Sequence, residues 1–163
     1  MKVELSRPVA VNRIASGLEV EVRADAAECA ALAARMNIPA VLELVCDFRL
    51  GAAGGGVVLA NGHLRARVVR TCVLTLDAFE MPTEERFRLR CVPAGQESAD
   101  DDPESDDEIG YVDGLIDLGE AAAEQLALAL DPYPRKPDAT LPDVAGDDEP
   151  TPFATLAGPA QRR

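Results

Sequence analysis

Tryptophan is absent from this chain of 163 residues, histidine occurs once, and the aromatics amount to two tyrosines and four phenylalanines. Rings on which the bases of a single strand stack are therefore scarce. The lone His63 stands beside Asn61-Gly62 and reads as a surface turn residue, with no Ser-His or Cys-His arrangement around it. Ser6, Ser16, Ser98 and Ser105 lie in an N-terminal arm or an acidic run, outside any nucleophile-elbow pattern. Cys29, Cys46, Cys72 and Cys91 are too scattered for a Cys-x-x-Cys zinc pattern. The aspartates at 100–102 and 106–107 lack the central glycine and spaced ligands of a calcium loop. Gly51 and Gly54 to Gly56 precede neither Lys-Ser/Thr nor a helix, so no phosphate-binding loop is read there. No catalytic residue, cofactor, metal or small-molecule substrate is expected, and the chain is read as a non-enzyme.

Long hydrophobic runs are missing too. Nothing approaches the roughly 20 apolar residues of a membrane helix, and no greasy stretch follows Met1-Lys2-Val3-Glu4, so neither a membrane partner nor a secretory signal is expected. Cys46, Cys72 and Cys91 fall in phase with an apolar strand face, as reduced core thiols do, which points to the cytoplasm. A basic surplus is also lacking. Residues 1–96 hold 12 Lys/Arg against 11 Asp/Glu, while 97–163 hold 4 against 18. A protein coating nucleic acid with its whole surface is thereby excluded; a basic partner, or simple solubility, suits the acidic part.

What is present is strand-period alternation from Val41 to Pro93. Leu42, Leu44, Cys46, Phe48 and Leu50 share one face, with Glu43, Val45, Asp47 and Arg49 on the other. Leu64, Ala66, Val68, Cys72, Leu74 and Leu76 repeat the pattern, Arg70 alone being out of phase, and Phe87, Leu89 and Cys91 oppose Arg86, Arg88 and Arg90. Asn61-Gly62 reads as a two-residue hairpin turn. A strand follows from about His63 to Leu76, a turn over Asp77–Glu85 around Pro82, and a return from Arg86 to Val92. Upstream come an edge strand or arm (1–16), a short strand (Leu18, Val20, Val22) and an alanine-rich helix from Asp25 to about Met36, opened by the Asp25–Glu28 capping box. Eight of the twelve positions from Glu97 to Glu108 are acidic, and 97–113 is read as a disordered loop. A second capping box, Asp117 with Glu120, starts a helix that Pro132 and Pro134 stop. The expected fold is α+β: an antiparallel meander of about five strands packed by two helices in one domain, 1–132. A flexible tail, 133–163, carries the apolar pair Phe153 and Leu156.

Arg49, Arg65, Arg67, Arg86, Arg88 and Arg90 fall opposite the apolar face and form a candidate RNA-contact stripe. The alternative is that they only keep an open sheet face soluble. Candidate partner-binding residues are Asp100, Asp101, Asp102, Asp106, Asp107 and Glu108, with Phe153 and Leu156.

From Gly62 onward the succession of motifs resembles the YceD family of bacterial proteins. The matching residues are Gly62 to Cys72, Ile116-Asp117-Leu118, Leu126 to Pro132, and Pro152-Phe153-Ala154-Thr155-Leu156 with Arg162 and Arg163 behind. The chain departs from the family at Thr75, which takes the place of a second cysteine after Cys72. It departs again at Tyr133-Pro134-Arg135-Lys136, where many relatives carry cysteines. The resemblance implies a role in large ribosomal subunit biogenesis and accumulation of 23S ribosomal RNA, through ribosomal RNA or a basic ribosomal protein. It implies no catalytic residue. A general protein-interaction adaptor, using the acidic loop and the tail motif, is the competing reading.

Overall fold

The computed structural model describes residues 3–98 and 106–140. In chain order its elements are β1 (Pro8–Ala10), a 3-10 turn (Val11–Arg13), β2 (Leu18–Arg23), α1 (Ala26–Arg35), β3 (Ala40–Gly54), β4 (Val57–Thr71), β5 (Ala78–Pro93), β6 (Asp107–Tyr111), β7 (Leu115–Asp117) and α2 (Leu118–Ala129). Strands β2-β3-β4-β5-β6 form one sheet in that order, and β1 pairs β7 in a second, two-stranded one. Every pairing is antiparallel except β5 with β6. The class is α+β.

The back of the large sheet is the core. Leu44, Cys46, Phe48, Leu50, Leu64, Val68, Leu89 and Cys91 are buried there with Leu32 of α1 and Leu118, Ala122 and Leu126 of α2. Helix α1 begins as its capping box requires: Asp25 accepts from the Glu28 N–H, and Glu28 accepts from the Asp25 N–H. Asn37, at φ 52°, follows its end in the left-handed region.

Five sequence expectations are corrected. Asn61-Gly62 makes no turn; it lies inside β4, paired with Arg49 and Phe48 on one side and Arg88 and Phe87 on the other. Gly54, Gly55 and Gly56, at φ 88°, 62° and 82°, make the reversal instead, leaving Asn61-Gly62 nothing to turn. All of the expected turn at Asp77–Glu85 except Asp77 is strand, and the reversal falls on Cys72–Asp77, with Leu76 at φ 61°. Pro82 is tolerated because β6 pairs β5 only from Leu89 onward. A register shift between Val41 and Glu43 puts Val41 in the core and leaves Leu42 43% exposed. Leu76, expected on the apolar face, is 78% exposed. Finally, Asp107–Tyr111 is strand β6 rather than loop; residues 99–105 of that stretch, like the tail from 141, lie outside the described residues.

The N-terminal arm is tied down by charge. The Arg7 guanidinium meets Glu28 of α1 through two bonds of 2.8 and 2.9 Å. Asp117, the N-cap of α2, accepts from the Ser6 hydroxyl (2.6 Å), the Arg7 N–H (2.8 Å) and the N–H groups of Gly119 and Glu120 (3.0 and 3.2 Å). Glu120 does not close the expected box; its carboxylate takes the Arg35 guanidinium at 2.7 and 3.0 Å. Helix and arm touch at Gly119, where an added Cβ would stand 2.7 Å from the Leu5 carbonyl oxygen and 2.9 Å from the Arg7 nitrogen. Those are backbone atoms and cannot swing aside. Gly119→Ala is expected to lower stability by about 2 kcal/mol in denaturant unfolding, despite the roughly 1 kcal/mol helix preference of alanine over glycine.

Candidate interaction surface

Pairing register decides which side chains share the open face. Arg23, Val45 and Arg65 lie in one row; Glu21, Asp47, His63 and Arg86 in the next; Glu19, Arg49, Asn61 and Arg88 in the one after. Arg67 and Arg90 complete the series opposite Pro82 and Leu59. All six candidate arginines therefore stand on one face. Val45, also on that face, is nonetheless buried, flanked in register by Arg23 and Arg65.

The face is nevertheless no basic stripe, because carboxylates alternate with the guanidinium groups. Arg49 meets Glu19 at 2.9 Å, Arg65 meets Asp47 at 2.6 Å, Arg67 meets Glu80 at 3.1 Å and Arg90 meets Glu108 at 3.1 Å. Arg88 holds Asn61 at 3.3 Å and reaches Asp106 at 3.9 Å. Arg86 has no carboxylate within 4 Å among the described residues, although its charge helps depress Glu84. Each exposed pair contributes little stability, on the order of 0–1 kcal/mol. Their effect is on potential: a phosphate arriving here meets guanidinium groups already compensated. A shallow groove of about 750 Å³ runs over this face, lined by Glu19, Glu21, Asp47, Arg49, His63 and Arg86.

His63 belongs to the middle of β4, not to a turn. Its Nε2 lies 2.6 Å from Glu84, whose carboxyl is held below its ordinary value first by that hydrogen bond and then by the neighbouring charge. The pair is open to water, Glu84 being largely exposed. Of the acidic candidates, Glu108 is committed to Arg90 and to the Ser98 N–H. Asp107 is exposed. Asp100, Asp101, Asp102, Phe153 and Leu156 lie outside the described residues.

All four cysteines are free and buried. Burial pushes the Cys46 thiol up to about 12 and that of Cys91 to about 11, which makes both poor nucleophiles. Cys72 differs. The Thr75 hydroxyl, then the Lys136 N–H at 3.4 Å, hold it down at about 7. Thr75 thus fills the position of the missing second cysteine, with a hydroxyl that acts to lower the first thiol's pKa. Sequence reasoning saw that substitution without its consequence, since Lys136 is brought there only by the chain after α2. Among the described residues no three His, Cys, Asp or Glu side chains gather as metal ligands would.

A helix-backed sheet whose open face carries interlocked charges defines an α+β scaffold with a broad polar surface. The chain belongs to the YceD family: the family model described as "Large ribosomal RNA subunit accumulation protein YceD" matches residues 60–157. The match begins inside β4, so β1, β2, α1 and β3, which complete the core, precede it. The family is named for accumulation of a ribosomal RNA and not for a catalysed reaction. No similar curated protein and no similar solved structure was found. No helix among the described residues is long and apolar enough to cross a membrane.

Proposed function

We propose that the chain is a non-enzymatic, cytoplasmic factor in biogenesis of the large ribosomal subunit that supports accumulation of 23S ribosomal RNA by holding a basic ribosomal protein. The family match supplies the process. One observation favours a protein partner over RNA: four of the six candidate arginines are compensated by a carboxylate of the same face, and a fifth, Arg88, reaches Asp106 at 3.9 Å. An RNA phosphate competes with those carboxylates, whereas lysines and arginines of a partner meet a chain whose acidic surplus lies beyond residue 96. Loss of the gene is expected to lower the ratio of the larger to the smaller of the two large ribosomal RNAs. An unchanged ratio overturns the reading.

Direct contact with ribosomal RNA is the second reading, favoured by the uncompensated Arg86 amid five other guanidinium groups. The two separate on one triple variant. With a protein partner, Arg86→Ala/Arg88→Ala/Arg90→Ala leaves cosedimentation with large-subunit precursors within about threefold of wild type. With phosphates bound at these residues, the logarithmic salt slope flattens by about one for each arginine removed. The adaptor reading rests on the tail, and truncation after Asp148 that leaves all partners bound removes it.

A further inference from the structure

Strand β4 pairs β5 from Ala78 to Cys91, but β6 covers the other side of β5 only from Leu89 to Pro93. From Ala78 to Arg88 the outward backbone groups face no strand among the described residues. Pro82 has no N–H, so an added strand has its full set of partners only from Thr83 to Arg88. Beneath this edge, between β5 and the second half of α2, lies a hollow of about 410 Å³ lined by Glu85, Phe87, Asp106, Asp107, Gln125 and Leu128. Leu128 is 71% exposed, an apolar side chain the core does not use. The lip is acidic, with Glu85, Asp106 and Asp107 against the single Arg88. That guanidinium bonds Asn61 on the open face of the sheet at 3.3 Å and reaches Asp106 only at 3.9 Å, leaving Glu85 and Asp107 unmatched at the lip among the described residues.

We propose that this edge and hollow receive an extended, lysine- and arginine-rich segment of a partner polypeptide, an inference that rests on the reading of the chain as a holder of a basic ribosomal protein. Backbone pairing along Thr83–Arg88 supplies affinity independent of sequence. Alternate side chains of an added strand point to the two sides of the sheet. On the hollow's side, a long basic side chain lays its methylenes on Leu128 and Phe87 and places its charge among the carboxylates. A nucleic-acid strand suits the site badly: it has no peptide groups for the edge and brings phosphates to an acidic lip.

The test uses the full chain and a fluorescent peptide of alternating lysine and valine, with single-stranded RNA and a glutamate-valine peptide as competitors. The lysine-valine peptide is expected to bind with salt-dependent affinity and to slow amide exchange over Thr83–Arg88. Leu128→Ser with Asp107→Asn, both at exposed positions, is expected to weaken it about tenfold or more. Only one parity of a strand faces the edge, so N-methylation of the lysine amides or of the valine amides, but not both, is expected to abolish binding. Equal affinity for the double variant, identical behaviour of the two methylated peptides, or displacement by RNA overturns the proposal. If it is overturned while the chain still cosediments with large-subunit precursors, this surface is wrong and the functional reading stands. If cosedimentation is lost too, both fall.

Discussion

Asp117→Ala is expected to lower stability by about 3 kcal/mol, since one carboxylate caps α2 and anchors the N-terminal arm. The N–H groups of Gly119 and Glu120 lose their cap, and the Arg7 N–H, part-buried, loses its acceptor. The same carboxylate predicts a pH dependence. Burial acts to raise its pKa, but the hydrogen bonds from Ser6, Arg7, Glu120 and Gly119 together outweigh it and leave the folded value below the ordinary 3.8. Its contribution is therefore complete above the unfolded value and disappears as pH falls through the lower, folded one. The stability gap between wild type and Asp117→Ala is expected to be constant above about pH 4 and to narrow as pH falls below it. A gap that does not narrow there contradicts the assignment.

Gly62→Val is expected to cost about 3 kcal/mol. A Cβ at residue 62 would fall 2.1 Å from Cζ of Phe87, whose ring lies over the bare backbone of β4. The ring packs edge-on against Phe48 at 5.8 Å between centroids, so moving it also loosens the core-facing aromatic pair. The second-site change Phe87→Ala is expected to recover part of the loss, because it removes the clash the valine creates. Urea midpoints of the two single variants and the double variant, analysed as a cycle, check this. Additive losses mean that the ring does not depend on the glycine.

These two positions mark what the sequence disclosed and what it hid. Alternation placed Leu44, Cys46, Phe48, Leu64, Leu89 and Cys91 in the core and the six arginines on one face, because period-2 patterning is local. Capping chemistry located the starts of both helices for the same reason. Gly62 misled because Asn-Gly is a turn signal only when no neighbour supplies the turn. The flexible reversal was already provided by Gly54 to Gly56, and the glycine serves a ring from a strand 25 residues later. Pro82 misled similarly, since its tolerance depends on the length of β6. The compensation of the arginine face was invisible: the carboxylates of Glu19, Asp47, Glu80 and Glu108 come from strands whose register no local pattern fixes. Spacing alone makes Glu120 a cap partner of Asp117, but its carboxylate takes Arg35 on the other helix.

In the proposed function, carboxylates of this chain meet the lysines of a basic protein in large-subunit precursors. A carbodiimide joins carboxylates to amines at contact distance, and the chain itself has only two lysines, Lys2 and Lys136. Mass spectrometry of precursors treated in this way, with ultraviolet crosslinking to RNA in parallel, tests the centre of the account most directly. The predicted result is a set of amide links from Glu85, Asp106 or Asp107 to lysines of a ribosomal protein, with ultraviolet links to RNA at background. Links to RNA through Arg65, Arg86 or Arg88, with no carboxylate joined to any partner, would contradict it.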